Sequence, residues 1–464
     1  MNNLKAIAFL GLSLTFLACS TSPPVTSTAP TAGGRFERAR SARAQPAPAP
    51  RVSEAPVGFD NASNGVVDSQ THQGDQVQFE TFEVISSGLG PLYNAQSCRE
   101  CHQSTVSGGA SQVTELRVGH KGPNGQFQNP EIAINYGTEV ITGRSLINQR
   151  AICPSGAFPD VRILERVPDT ETIRTLRISL STLGGGFVEA VDDATLIALA
   201  DKQCKQGSGG ICGLALRVPV LEAPGQTRVG RFGWKSQHAS LLSFSADAYL
   251  NEIGITNRLL TEEVTNLCNT VTEPNDKSGP DGQSDIDRIA RFIRATKAPT
   301  RDVKLAGTPG AQTGQMLFSK IGCAECHVPT LQTAPPDTVI NGGAYTVPEA
   351  LGNKAFHPYS DYLLHDVGTG DGFPVAMVEH YGNQVYKVPW QGLSMKSFDA
   401  TANRIRTAPL WGVRTRPLLM HDGASLTFRD AILRHRGEAS SVTARFGRLS
   451  QADQNAIQEF LRSL

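Results

Sequence analysis

Cys98-Arg-Glu-Cys-His102 and Cys323-Ala-Glu-Cys-His327 decide how this chain is read. Each spells C-x-x-C-H, a spacing that lets two thiols form thioethers to the vinyl groups of one haem while the adjacent histidine ligates the iron. Zinc binding and dithiol redox chemistry are the competing readings. The two pairs lie too far apart for a zinc ribbon, and a redox C-x-x-C pair needs no trailing histidine. The expectation is therefore two covalently bound haem c groups. Cys98, Cys101, Cys323 and Cys326 supply the thioethers, and His102 and His327 the proximal iron ligands.

The rest of the composition fits a chain organised around such groups. Of 464 residues only 39% are hydrophobic and 6% aromatic, while glycine (45) and proline (28) are abundant. Two porphyrins would fill a core that the side chains fill thinly. The 43 basic and 43 acidic side chains cancel, which excludes the basic patch of a nucleic-acid binder. At the start, Lys5 precedes an apolar run from Ala6 to Ala18, with Cys19 directly after it. That run falls short of the roughly 20 residues of a membrane span and reads as an export signal, 1–18, with Cys19 resembling a bacterial lipidation site. Residues 19–55, rich in Pro, Ala, Ser and Thr, read as a disordered tether. The expected place is the periplasmic face of a bacterial membrane, as an outer-membrane lipoprotein held by its lipid anchor alone; an ordinary secretory signal, with the protein otherwise exported, is the alternative.

Four further cysteines, Cys153, Cys204, Cys212 and Cys268, suit two disulfides in an exported protein, and Cys204 with Cys212 flanks a glycine-rich turn. Ser284 caps a helix carrying Ile286, Ile289, Phe292 and Ile293 on one face, ended by Pro299. A helix around Thr313–Lys320 leads into the second haem motif, and Ser450 caps a C-terminal helix with Ala456, Ile457, Phe460 and Leu461 in one stripe. Thr427 with Asp430 caps another, which Gly437 stops; Phe428, Ala431, Ile432 and His435 share its face, directing His435 inward as an axial ligand of the second haem. These signals predict a mainly α fold with long loops and two cytochrome c-type haem domains, 56–302 and 303–464.

With these motifs in hand, the sequence resembles the di-haem cytochrome c peroxidase superfamily, which includes MauG, and most closely the di-haem oxidoreductase group, also labelled thiol oxidoreductases. The resemblance covers roughly 85–464. Besides the two C-x-x-C-H sites it rests on Leu183-Gly-Gly-Gly-Phe-Val-Glu-Ala190, Gly230-Arg-Phe-Gly-Trp-Lys235, Asn251-Glu-Ile-Gly254, Thr407-Ala-Pro-Leu-Trp-Gly412 and His421-Asp-Gly423, in that order. It implies that Glu252 is the acidic residue over the peroxide-binding face of the first haem, moving protons, and that Trp234 lies between the haems and mediates electron transfer. His435 falls near where the peroxidases carry an axial methionine and MauG a tyrosine; a histidine there lowers the second haem's potential relative to His/Met. His120 is the candidate distal ligand of the first haem, with His238 and an open site as alternatives. His365 and His421 are expected to order loops near the second haem through hydrogen bonds. The resemblance also implies a calcium ion between the domains. Asn124 offers it an oxygen, but no dedicated loop motif accompanies it.

The activity implied is reduction of hydrogen peroxide, with a small redox protein or another donor feeding the second haem. Two other readings stay open: a non-catalytic di-haem electron-transfer lipoprotein, and a MauG-like oxidase of a protein substrate. Glu252 separates the first of these from an enzyme, because electron carriage needs no acid–base group beside a haem.

Overall fold

In the computed structural model, helices form where capping chemistry and apolar periodicity coincide. The structure describes residues 51–464 apart from 135–138, 143, 155–162, 207–209, 264–270, 376–377, 382–383 and 388–399. The leader, Cys19, nearly all of the tether and Cys268 fall outside the described residues. Ser53–Glu54, at the end of the segment read as tether, is instead ordered: it pairs in parallel with Lys354–Ala355. Pro50–Leu464 forms one unit.

Around the first haem motif, α1 (Ser69–Glu80) is capped by the Asp68 side chain. The motif itself opens α2 (Cys98–Cys101), where Ser97 accepts from the Glu100 N–H. Strand β1 (Thr114–Lys121) follows, then β2 (Phe127–Gln128) and β3 (Ile173–Ile178), with β1 central and antiparallel to both. The chain continues through α3 (Gly185–Glu189), α4 (Asp193–Gln206), α5 (Leu241–Ile253) and α6 (Asp285–Ala295). The expected helix at Ser284 is α6, closed by a capping box with Asp287. Ile286, Ile289, Phe292 and Ile293 bury against Phe79 of α1 and Tyr249, Leu250 and Ile253 of α5, and Cys98 packs on this cluster.

Around the second motif, α7 (Pro309–Lys320) begins earlier than the apolar pattern indicates, because Thr308 caps it and Pro309 takes the first helical position. Short strands β4 (Leu364–His365) and β5 (Ile405–Arg406) pair antiparallel. Helices α8 (Phe428–Arg434), α9 (Ser440–Gly447) and α10 (Gln451–Ser463) complete the chain, α10 with the Ser450 cap. α7 crosses α10 at Gly314, where a Cβ would sit 1.9 Å from the Ala456 carbonyl oxygen. That approach brings Phe318 onto Ile457, Phe460 and Leu461 in one core with Cys323 at its edge.

The mainly α expectation is corrected. Among the described residues helix accounts for 34% and strand for 17%, the strand spread over several small sheets. The longest strands lie in 114–178, where Val, Ile and Thr recur at alternate positions. Such side chains lose rotamer freedom in helices and pack well on pleated surfaces. Val118, Ile132, Ile134, Ile141 and Ile163 form a core of their own there.

Candidate functional site

Two cavity systems hold the two motifs. The second motif opens on a cavity with ≈1440 Å³ of space outside protein atoms, its mouth included. Cys323, Cys326 and His327 line it together with His435, Ile432 and Phe428. His327 bonds through Nδ1 to the Tyr359 carbonyl (3.0 Å), and His435 through Nδ1 to the Ala431 carbonyl (2.7 Å). Such bonds fix the tautomer and leave Nε2 as the lone-pair nitrogen of each ring. Burial, then the neighbouring His435, pushes His327 down to about 4, and burial lowers His435 as well. Both rings are thus neutral, the ligating form. His435 reaches the cavity differently from the helical-face expectation: α8 ends at Arg434, and His435 is its C-cap with extended backbone.

The first motif borders two adjoining cavities that share His102, Glu115, Phe244 and Glu252 as walls. Cys98 and Cys101 line one of them. His102 is pushed down to about 4 by burial, and its Nδ1 is buried without a hydrogen-bond partner. Glu252 stands on the last turn of α5, which Gly254 ends at φ 75°; a Cβ there would meet Gly90 and Leu92 at 2.7 Å. The Glu252 carbonyl accepts from the Asn94 (2.7 Å) and Ala95 (3.1 Å) N–H groups, and its carboxyl accepts from Asn94 Nδ2 at 3.2 Å. Asn94 is oriented in turn, its Oδ1 accepting from the Gln149 N–H. Glu252 is therefore stitched to the segment that enters the motif. Burial, reinforced by the Glu115 carboxylate, holds its pKa well above the ordinary glutamate value.

Trp234 lines both cavity systems, as do Ile178, Ser179, Leu180 and Arg406. The loop that presents it is closed by the Phe232 N–H bonding to the His238 carbonyl (2.9 Å), and the indole N–H donates to the Ile178 carbonyl at 2.7 Å.

His120 is placed elsewhere. It lies on β1 with its ring bonded to Glu171 (2.9 Å) and Gln128 (3.2 Å), and it is not among the residues that line the first cavities. His238 does not line them either; its Nε2 is 3.1 Å from Asp247. Asn124 closes a surface turn on Gln126. His365 is held between Asp361 (2.9 Å) and Glu438 (2.8 Å), and His421 lines the second cavity with its ring 6.1 Å from that of Trp234. Cys326, Asp361 and His365 place one potential ligand atom each within 4.8 Å, but both His365 ring nitrogens are already engaged. Cys204 and Cys212 form a disulfide, and Cys153 is also disulfide-bonded. The four motif cysteines are free. Glu115 and Asn94 are the site residues that sequence reasoning missed.

The model of the family described as "Di-haem oxidoreductase, putative peroxidase" matches residues 162–464. The chain belongs to that family. The match takes in the second haem motif, Glu252 and Trp234, and begins after the first motif. No curated protein matches this di-haem oxidoreductase. Among solved structures it is similar to hydrazine synthase of Kuenenia stuttgartiensis, at 16% identity over 96% of this chain and 100% of that chain, TM-score 0.37. A second likeness is to a MauG-like protein associated with microbial copper homeostasis, at 15% identity over 61% and 89%, TM-score 0.29. Scores this low carry no argument about fold or activity.

The family implies haem cofactors, and the residues present fit them. The paired cysteines are unbridged, burial raises the Cys98 and Cys323 thiols to about 12 so that neither is a thiolate, and an unpartnered buried imidazole nitrogen stands at the first motif. Largely apolar walls surround a neutral histidine in each case.

Proposed function

We propose that this di-haem oxidoreductase is a peroxidase that reduces hydrogen peroxide at the first cavity with electrons passed from the second. Cys98 and Cys101 would hold one haem and Cys323 and Cys326 the other through thioethers, with His102, His327 and His435 as iron ligands. When bound, each haem supplies a redox-active iron. Peroxide takes up two electrons and two protons to give two waters, so a proton-moving group is required beside the substrate. The observation that carries the reading is Glu252: a buried carboxyl held well above the ordinary glutamate pKa, and so favoured to carry a proton, in the cavity of His102, with no second histidine among its described lining residues. Asn94 orients that carboxyl, and Glu115 lies beside it as a second acidic group. The walls of Phe244, Ile253 and Ile289 limit water. Trp234, on the shared wall, would relay electrons.

Export, lipidation at Cys19 and delivery of electrons by a small redox protein complete the proposal. Among the described residues no helix is long and apolar enough to cross a membrane. The test is peroxide consumption by haem-loaded protein given an artificial one-electron donor. Turnover that vanishes in Glu252→Gln supports the proposal. Absence of turnover in the parent, with both haems present, would favour an electron carrier.

A further inference from the structure

Two arginines at the junction of the cavities lack the counter-ion that their burial demands. Arg406 is 5% exposed and lines both cavity systems; Arg416 lines the second. Arg406 donates to the Gly233 carbonyl (2.7 Å) and weakly to that of Thr407 (3.4 Å), and Arg416 to the Pro409 carbonyl (2.7 Å). Their partners are neutral, these carbonyls and the Tyr362 ring, whose centroid lies 5.4 Å from the Arg406 guanidinium carbon, and neither guanidinium has a carboxylate within ion-pair distance among the described residues. Elsewhere in this chain the pattern is different: buried Arg144, Arg177 and Arg231 each pair with an acid. Arg416 Nε is buried with no partner at all. Burial lowers both groups to about 10, and at Arg416 the charge of Arg406 adds to the effect. Two like charges repelling each other in a partly dry junction are costly unless an anion joins them.

We infer that Arg406 and Arg416 form a carboxylate-binding site at this junction, taking the propionate side chains of the bound haems. The inference rests on the reading that the cavities hold haem. The site sits against Trp234, whose carbonyl accepts from the Arg406 backbone N–H at 2.8 Å, so it would fix the haem edges at the wall they share. A positive charge there favours the reduced iron, and its removal lowers the midpoint potential.

The experiment uses full-length, haem-loaded protein. Haem content is measured first by alkaline pyridine absorbance; fewer than two haems per chain in the parent would refute the underlying reading by itself. Spectroelectrochemical titration then compares Arg406→Gln, Arg416→Gln and the two Lys variants, with exposed Arg462→Gln as control. The Gln variants are expected to shift the reduction equilibrium of the second-cavity haem at least tenfold toward the oxidised form, 59 mV for one electron. The Lys variants and the control should stay within about threefold of the parent, well inside that 59 mV step. Arg416 is partly open to the cavity, so R416Q carries the test if R406Q does not accumulate. A shift in neither Gln variant, with both haems loaded, overturns the inference. So does a parent midpoint that moves with added acetate at constant ionic strength, which would mark a free anion as the occupant.

Discussion

Replacing Glu252 by glutamine separates proton transfer from everything else the side chain does. Gln keeps the size, and its amide oxygen still accepts from Asn94 Nδ2, the 3.2 Å contact of the parent carboxyl. What it loses is an exchangeable proton. Positioned acid–base groups contribute about 10²–10⁴ in rate, or about 2.7–5.4 kcal/mol of barrier at 1.36 kcal/mol per tenfold. Peroxide-dependent turnover should fall by that factor while haem content and resting spectra stay as in the parent. Stability should move the other way. A carboxyl whose folded pKa is raised contributes stability that is fully present below its unfolded value near 4.3 and is lost as pH rises toward the folded value. Glutamine does not titrate, so the variant gains on the parent by up to about 1.4 kcal/mol for each pH unit within that window. Stopped-flow peroxide reduction and urea denaturation at two pH values in the window would measure both. Turnover within threefold of the parent, or a stability difference that does not grow with pH, would refute the reasoning.

Trp234→Phe removes an indole N–H bonded to the Ile178 carbonyl, at a cost of about 1 kcal/mol. Rapid-mixing experiments should find slower electron transfer between the haems with both spectra unchanged; an unaltered rate would remove Trp234 from the path. Asp371 is buried, which alone would raise its carboxyl, but Arg177 and Lys235 hold it down at about 2. A depressed carboxyl stabilises above its unfolded pKa, so about 2 kcal/mol should disappear as pH falls from about 4 toward 2. Asp371→Asn should cost about 3–5 kcal/mol in denaturation at neutral pH, because two buried cations lose their partner. Gly314→Ala drives a methyl into the Ala456 carbonyl; about 1–3 kcal/mol or more should be lost, and a melting temperature equal to the parent's would contradict the close crossing of α7 and α10.

How much was legible follows from how local each signal is. The Ser284 and Ser450 caps, with apolar residues three and four apart, announce α6 and α10, because a helix is specified by neighbours along the chain. The C-x-x-C-H motifs are equally local. Strands β1 and β3 draw their partners from across fifty residues, and their alternation is diluted by charged positions, so the helix signals alone set the expected fold class. The extended course of β1 also displaces His120. A regular strand rises about 3.3 Å per residue, which carries position 120 roughly 16 Å along β1 from Glu115, the strand residue that does line the cavity. Spacing from His102 alone cannot register that displacement. His435 reaches its cavity although α8 stops one residue short of it, since the C-cap continues in the same direction. Glu115 and Asn94 were illegible because single polar residues become a site only when β1 and α5 meet. Arg406 and Arg416 carry no motif; their missing partners appear only in three dimensions.

As a peroxidase the protein would hold one open and one doubly ligated iron. Electron paramagnetic resonance of the fully oxidised and half-reduced protein, with and without hydrogen peroxide, tests this directly. One low-spin signal that His435→Ala abolishes, beside a second iron whose signal changes on peroxide addition after one-electron reduction, is the predicted result. Two low-spin signals that ignore both peroxide and His435→Ala would contradict it.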